Sequence, residues 1–155
     1  MVEPVEAIEV GDPAPDFILE NQHGEDISLS SFRGTPVVLV FFPFAFSGIC
    51  SGEFAEIRDR RSELVGAEVL AVSCDHFYAN RAFSDAQNLE FSVLSDFWPH
   101  GEVSRAYGIF NAEVGVAERG TFVIDGTGIV RWKVAHGIGE ARDLGGYREA
   151  LAGLV

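Results

Sequence analysis

Lysine is almost missing from this sequence. Lys133 is the only one in 155 residues, and 11 basic side chains stand against 24 acidic ones, a net charge of −13. Such a surface repels nucleic-acid phosphates and anionic lipid, so neither is expected as a partner. Cysteine is scarce as well, at Cys50 and Cys74 alone. Two thiols in a chain of this length read as catalytic or buried groups rather than as a structural disulfide. The four histidines, His23, His76, His100 and His136, are scattered singly with no Cys or Glu at ligand spacing, so no metal centre is expected. No apolar run approaches the ~20 residues of a membrane span. The opening "MVEPVEAIEV" has neither the basic start nor the apolar stretch of a secretory leader. Repeats, linkers and low-complexity tracts are lacking too. The expectation is a soluble, cytoplasmic chain without metal or organic cofactor.

What is present is apolar mass. A 47% hydrophobic content with 13 phenylalanines suits one packed domain over residues 1–155. Short strands are expected at 17–20 and 27–29, followed by a single helical turn closed by Gly34. Residues 37–42, "VVLVFF", form an unbroken apolar run, the pattern of a strand buried on both faces. From Gly48 a helix places Cys50, Phe54, Ile57, Arg61 and Leu64 on one face. A second buried strand follows at 68–73, ending at Cys74 and Asp75, then a helix over 76–88, a strand at 91–94 and a short helix at 102–107. "GTFVIDGTGIVRWKV" reads as a hairpin turning at Asp125–Gly128, and a last helix is expected near 143–151. Alternating strands and helices demand parallel crossovers, whereas the hairpin adds antiparallel strands. The sheet is therefore mixed with helices on both faces, an α/β thioredoxin-like fold with an N-terminal extension.

The chemistry gathers where the first buried strand ends, at "PFAFSGIC". Only a thiolate is a nucleophile, and an ordinary cysteine near pKa ~8.5 is mostly protonated at neutral pH. The first turn of a helix offers Cys50 unpaired N–H groups and the positive end of the dipole, both favouring the anion. Ser47 supplies a hydroxyl for the sulfur or an incoming oxygen. Pro43 ends the strand without a competing N–H, and its ring can shield the sulfur from water. A bland alternative remains on composition alone, since free cysteine is among the most buried residue types.

The spacing Pro43-x-x-x-Ser47-x-x-Cys50 resembles the active-site signature of the peroxiredoxins, Pro-x-x-x-Thr/Ser-x-x-Cys. Further segments in the same order extend the resemblance over nearly the whole chain: "GDPAPDFIL", "LSDFWPHGEVSRAYGIF", "RGTFVIDGTGIVR" and "GEARD". The one-cysteine members are the most similar. Serine in place of the commoner threonine keeps the hydroxyl and loses the methyl that restrains its rotamer. The resemblance implies a thiol-dependent peroxidase acting on hydrogen peroxide, organic hydroperoxides or peroxynitrite through a sulfenic acid on Cys50. It implies that Pro43 shields the thiolate, that Ser47 bonds the peroxide, and that Arg119 is the active-site arginine. A guanidinium stays charged, stabilises a nearby thiolate and offers paired donors to two oxygens. Without the resemblance, Arg119 reads as a surface residue at a strand start. Glu53, one helical turn after Cys50, can orient Ser47 or Arg119 from behind, or can simply complement the helix dipole.

No cysteine stands where two-cysteine relatives often keep a resolving partner, which leaves Cys74. It reads either as a resolving thiol or, by preference, as a strand-end thiol, because a disulfide needs α-carbons within about 7 Å. One-cysteine turnover then calls for an external thiol reductant: a low-molecular-weight thiol with a glutaredoxin-like protein, or a thioredoxin-like protein. In the resembled family the loop around Phe97, Trp98 and Pro99 lies at a dimer contact, which implies a homodimer or a higher assembly. Two rivals stay open. "SGIC" stands where a thiol–disulfide oxidoreductase would carry Cys-x-x-Cys, though its first sulfur is missing. A non-enzymatic, redox-regulated binding protein has no dedicated feature in the sequence.

Overall fold

The computed structural model describes residues 8–59, 64 and 66–136, with the backbone alone at 48–51. A hairpin of β1 (Ile18–Glu20) and β2 (Asp26–Ser28) opens into a 3-10 turn at Leu29–Phe32. Then follow β3 (Val37–Phe41), α1 (Gly48–Asp59), β4 (Glu68–Ser73), α2 (Phe77–Gln87), β5 (Ser92–Ser95) and α3 (Glu102–Ala106). A small hairpin of β6 (Phe110–Asn111) and β7 (Val116–Ala117) precedes the long hairpin of β8 (Arg119–Ile124) and β9 (Val130–His136).

Among the described residues seven strands form one sheet in the order β2-β1-β5-β4-β3-β8-β9. β3, β4 and β5 run parallel; β1 on one flank and β8 with β9 on the other run antiparallel. The mixed sheet and thioredoxin-like layering match the sequence reading. The strand expected at 91–94 is β5, shifted by one residue, and the β6–β7 hairpin was not expected from the sequence. The final helix, the "GEARD" segment and Arg61 lie outside the described residues.

β3 explains why its run of apolar residues has no polar break. Val37, Leu39 and Phe41 pack into one core with Leu70, Val72, Phe122, Val103 and Tyr107. Val38, Val40 and Phe42 point into the other, against Phe54 and Ile57 of α1 and Phe83 of α2. Alternate side chains of a strand face opposite sides, so a strand with a core on each side must be apolar throughout. Each large aromatic buried this way is worth roughly 2–3 kcal/mol.

Helix ends are closed by side chains. His76 Nδ1 accepts the Tyr78 N–H at the start of α2, and Asn88 in the left-handed region ends it. Asp96, although buried, accepts the N–H groups of Val103 and Ser104 and so caps α3. In the β8–β9 turn Asp125 Oδ1 accepts the N–H groups of Thr127 and Ile129, and Gly128 takes a φ of 89°. At the N-terminal side, Lys133 Nζ donates to the Ile8 carbonyl at 2.6 Å. Among the described residues no helix is long and apolar enough to cross a membrane.

Candidate active site

β3 leaves the sheet at Pro43, which is buried; Phe42 before it still donates its N–H to the Val72 carbonyl at 2.9 Å. The chain then turns through Phe44, Ala45 and Phe46, and the Ser47 N–H meets the Phe44 carbonyl at 3.5 Å. Two contacts fix this loop from outside. The Ala45 N–H donates to Asp75 Oδ2 at 2.9 Å, and the Phe46 ring packs edge-on against Phe83 at 5.4 Å. α1 begins at Gly48, so the backbone of Cys50 lies in its first turn, where N–H groups lack helical partners. The Cys50 thiol is outside the described side chains. Ser47 is half-buried at the last position before the helix.

Arg119 comes from the far end of the sequence. β3 and β8 pair with Val40 opposite Thr121, and continuing that register sets Arg119 beside Phe42, at the strand end that leads to Cys50. It is not a surface residue: only 2% of it is exposed, and its Nη1 donates to Glu53 Oε1, itself 7% exposed. A guanidinium so buried requires an anion, since removing one partner of such a pair costs about 3–5 kcal/mol. Glu53 sits one turn along α1 from Cys50, so the pair holds a fixed cation against the helix that opens with the thiol.

Cys74 follows β4 directly. It is 5% exposed, and its sulfur lies 3.9 Å from Ser104 Oγ, which donates to Asp96 Oδ2 at 2.8 Å. Burial and the charge of Asp96 push the thiol up to about 11. It is the opposite of an activated cysteine. Asp96 is itself raised, chiefly by burial, against the three hydrogen bonds that favour its ionised form.

The profile of the AhpC/TSA family matches residues 10–133, which span every candidate residue above. The chain belongs to the AhpC/TSA family of peroxiredoxins. Alkyl hydroperoxide reductase E of Mycobacterium tuberculosis is 43% identical over 151 residues, 96% of this chain and 99% of that protein. A putative peroxiredoxin of Synechocystis is 30% identical, covering 90% of this chain and 74% of its own length. Among solved structures, peroxidoxin BcpB of Mycobacterium tuberculosis superposes with a TM-score of 0.86 at 26% identity, over 96% of this chain and 99% of that one.

Beside β1, large apolar side chains stand exposed next to the polar Glu20 and Asp26. Trp98 is 82% and Ile18 68% exposed, and with Leu19, His76, Phe77 and Phe97 they line a groove of about 310 Å³. The sequence reading missed Asp75. Its position at the carboxyl end of a central parallel strand was the available signal, because sites in open α/β sheets collect there.

Proposed function

We propose that this chain is a cytoplasmic thiol-dependent peroxidase, folded as one domain, in which Cys50 is the nucleophile. The Cys50 thiolate attacks the nearer oxygen of a hydroperoxide. A sulfur–oxygen bond forms as the oxygen–oxygen bond breaks, and the leaving oxygen departs with the electron pair and takes up a proton as water or alcohol. Cys50 is left as a sulfenic acid, two electrons more oxidised. Arg119, Ser47 and the first amides of α1 stabilise the charge on the departing oxygen, and Pro43 keeps bulk water from the sulfur. Glu53 holds the guanidinium in place. The observation that carries this reading is the buried Arg119–Glu53 pair one turn from Cys50. A permanent cation in a dry setting stabilises both the thiolate and the transition state.

An external thiol returns the sulfenic acid to the resting state, through a mixed disulfide and then a second thiol. The buried, strongly protonated Cys74 favours this route over an internal bridge. A small thiol with a glutaredoxin-like protein, or a thioredoxin-like protein, fits equally. The protein works as a homodimer joined through the exposed Trp98 and Ile18 surface, with a larger assembly built on the same unit as the alternative.

Stopped-flow mixing with one equivalent of hydrogen peroxide, and with an organic hydroperoxide, tests the reading. The wild-type protein and Cys74→Ser react rapidly and give a sulfenate adduct at Cys50 when a trap is present; Cys50→Ser does not react. Insulin reduction with no peroxide consumption would transfer the assignment to the thiol–disulfide oxidoreductases.

A further inference from the structure

The loop between β3 and α1 carries a conformation that needs support. Phe46 has a φ of 68°, in the left-handed region that a bulky side chain seldom enters. Such a conformation is strained and persists where its surroundings over-determine it. It directly precedes Ser47, so its backbone sets where that hydroxyl points. On the side chain the support is the contact with Phe83; on the backbone it is the hydrogen bond from the preceding Ala45 N–H to Asp75.

Asp75 is in turn held on every side. Its N–H donates to Ser73 Oγ at 3.3 Å, and its carbonyl accepts the Ser95 hydroxyl at 2.6 Å. Ser73 Oγ donates to Asn80 Oδ1 at 3.2 Å, and Asn80 Nδ2 donates to the Leu94 carbonyl at 3.4 Å; Ser73 and Asn80 are fully buried. Strands β4 and β5 and helix α2 thus form a rigid polar mount with one carboxylate oxygen on the neighbouring loop. Nothing in the packing of β4 requires an acid here, since Asp75 is only half-buried and outside both cores.

We infer that Asp75 is a positioning residue for peroxide reduction: through the Ala45 N–H it holds the strained Phe46 turn and so fixes Ser47 toward the peroxide. This rests on the reading of Cys50 as the peroxide-reacting thiol. The role is geometric, which separates it from any influence on thiol acidity. Peroxide must be aligned by the loop; a simple alkylating agent needs only the thiolate.

The test compares two second-order rates at Cys50, with hydrogen peroxide and with iodoacetamide. Asp75→Ala loses the acceptor, and the peroxide rate falls about 10- to 100-fold, the scale of a small misalignment, while iodoacetamide alkylation stays near wild type. Asp75→Asn keeps an oxygen that can accept the Ala45 N–H and recovers most of the peroxide rate. If the alanine variant does not fold, Asp75→Leu, which keeps volume without an acceptor, takes its place. An unchanged peroxide rate, a parallel fall with both reagents, or an asparagine variant as slow as the alanine one would overturn the inference. A wild-type protein inert to peroxide would instead overturn the reading on which it rests.

Discussion

The buried Cys74 thiol, near the charge of Asp96, keeps its proton well past neutrality, and that property can be read directly. In native protein at pH 8, iodoacetamide modifies Cys50 and leaves Cys74 unlabelled; in denaturant both react, as peptide mass spectrometry shows. The sign for stability follows from the raised value of about 11. The fold favours the protonated thiol, so its contribution is complete below the ordinary cysteine pKa and is lost as pH rises through 11. Cys74→Ser therefore flattens the fall in urea stability between about pH 9 and 11. Arg119 and Glu53 behave differently because they form an ion pair in a dry interior. Glu53→Ala removes one partner of a buried ion pair and lowers stability by about 3–5 kcal/mol, whereas Glu53→Gln keeps an acceptor and costs less. Arg119→Met slows peroxide reduction on the order of 100- to 1000-fold in stopped-flow measurements, the loss expected when one charged stabiliser of a departing oxygen is removed.

At the scale of elements, the β1–β2 hairpin buries Leu19 in the core but has little strand pairing to the rest of the sheet. Strand pairing between β1 and β5 comes down to Glu20 opposite Ser95. Buried Gln22 adds polar ties: its amide donates to Ser84 Oγ and the Phe91 carbonyl, and its oxygen accepts the Val93 N–H at 2.8 Å. Gln22→Ala leaves that N–H unpaired and costs about 2–4 kcal/mol in urea unfolding. Amide exchange then quickens in β1 and β2 while β3 and β4 stay protected. The same elements show what a sequence can and cannot disclose. Buried strands such as β3 and β4 announce themselves because continuous apolar runs have few other homes. The place of the N-terminal hairpin does not, since a glutamine bonding backbone groups some 70 residues away leaves no periodicity; nor do β6 and β7, at two residues each, too short for any pattern to repeat. At the site, the spacing of Pro43, Ser47 and Cys50 is local and therefore visible. The burial of Arg119 between Glu118 and Gly120 is not, because it depends on register with β3. Asp75 escaped notice for a related reason: its partner is a main-chain N–H 30 residues earlier, and a backbone donor has no residue type to recognise.

For the molecule as a whole, charge and apolar surface oppose each other. Two copies carrying −13 each repel, yet Trp98 and Ile18 stand exposed beside a shared groove. Raising salt from low ionic strength screens that repulsion and tightens the dimer, and Trp98→Arg shifts it toward monomer; sedimentation velocity across salt and protein concentration measures both. A wild-type protein that sediments as a monomer at all concentrations would remove the groove as a self-association surface. The nearly lysine-free composition has a practical corollary. Amine-directed dyes, resins and crosslinkers find a single ε-amino group, that of Lys133, and it is already engaged with the Ile8 carbonyl. Acylation there removes the ammonium that also pairs with Glu9, while the Gly11 and Val130 N–H bonds still hold the leading segment to β9, so the coupling rate becomes a gauge of how often that one side chain lets go.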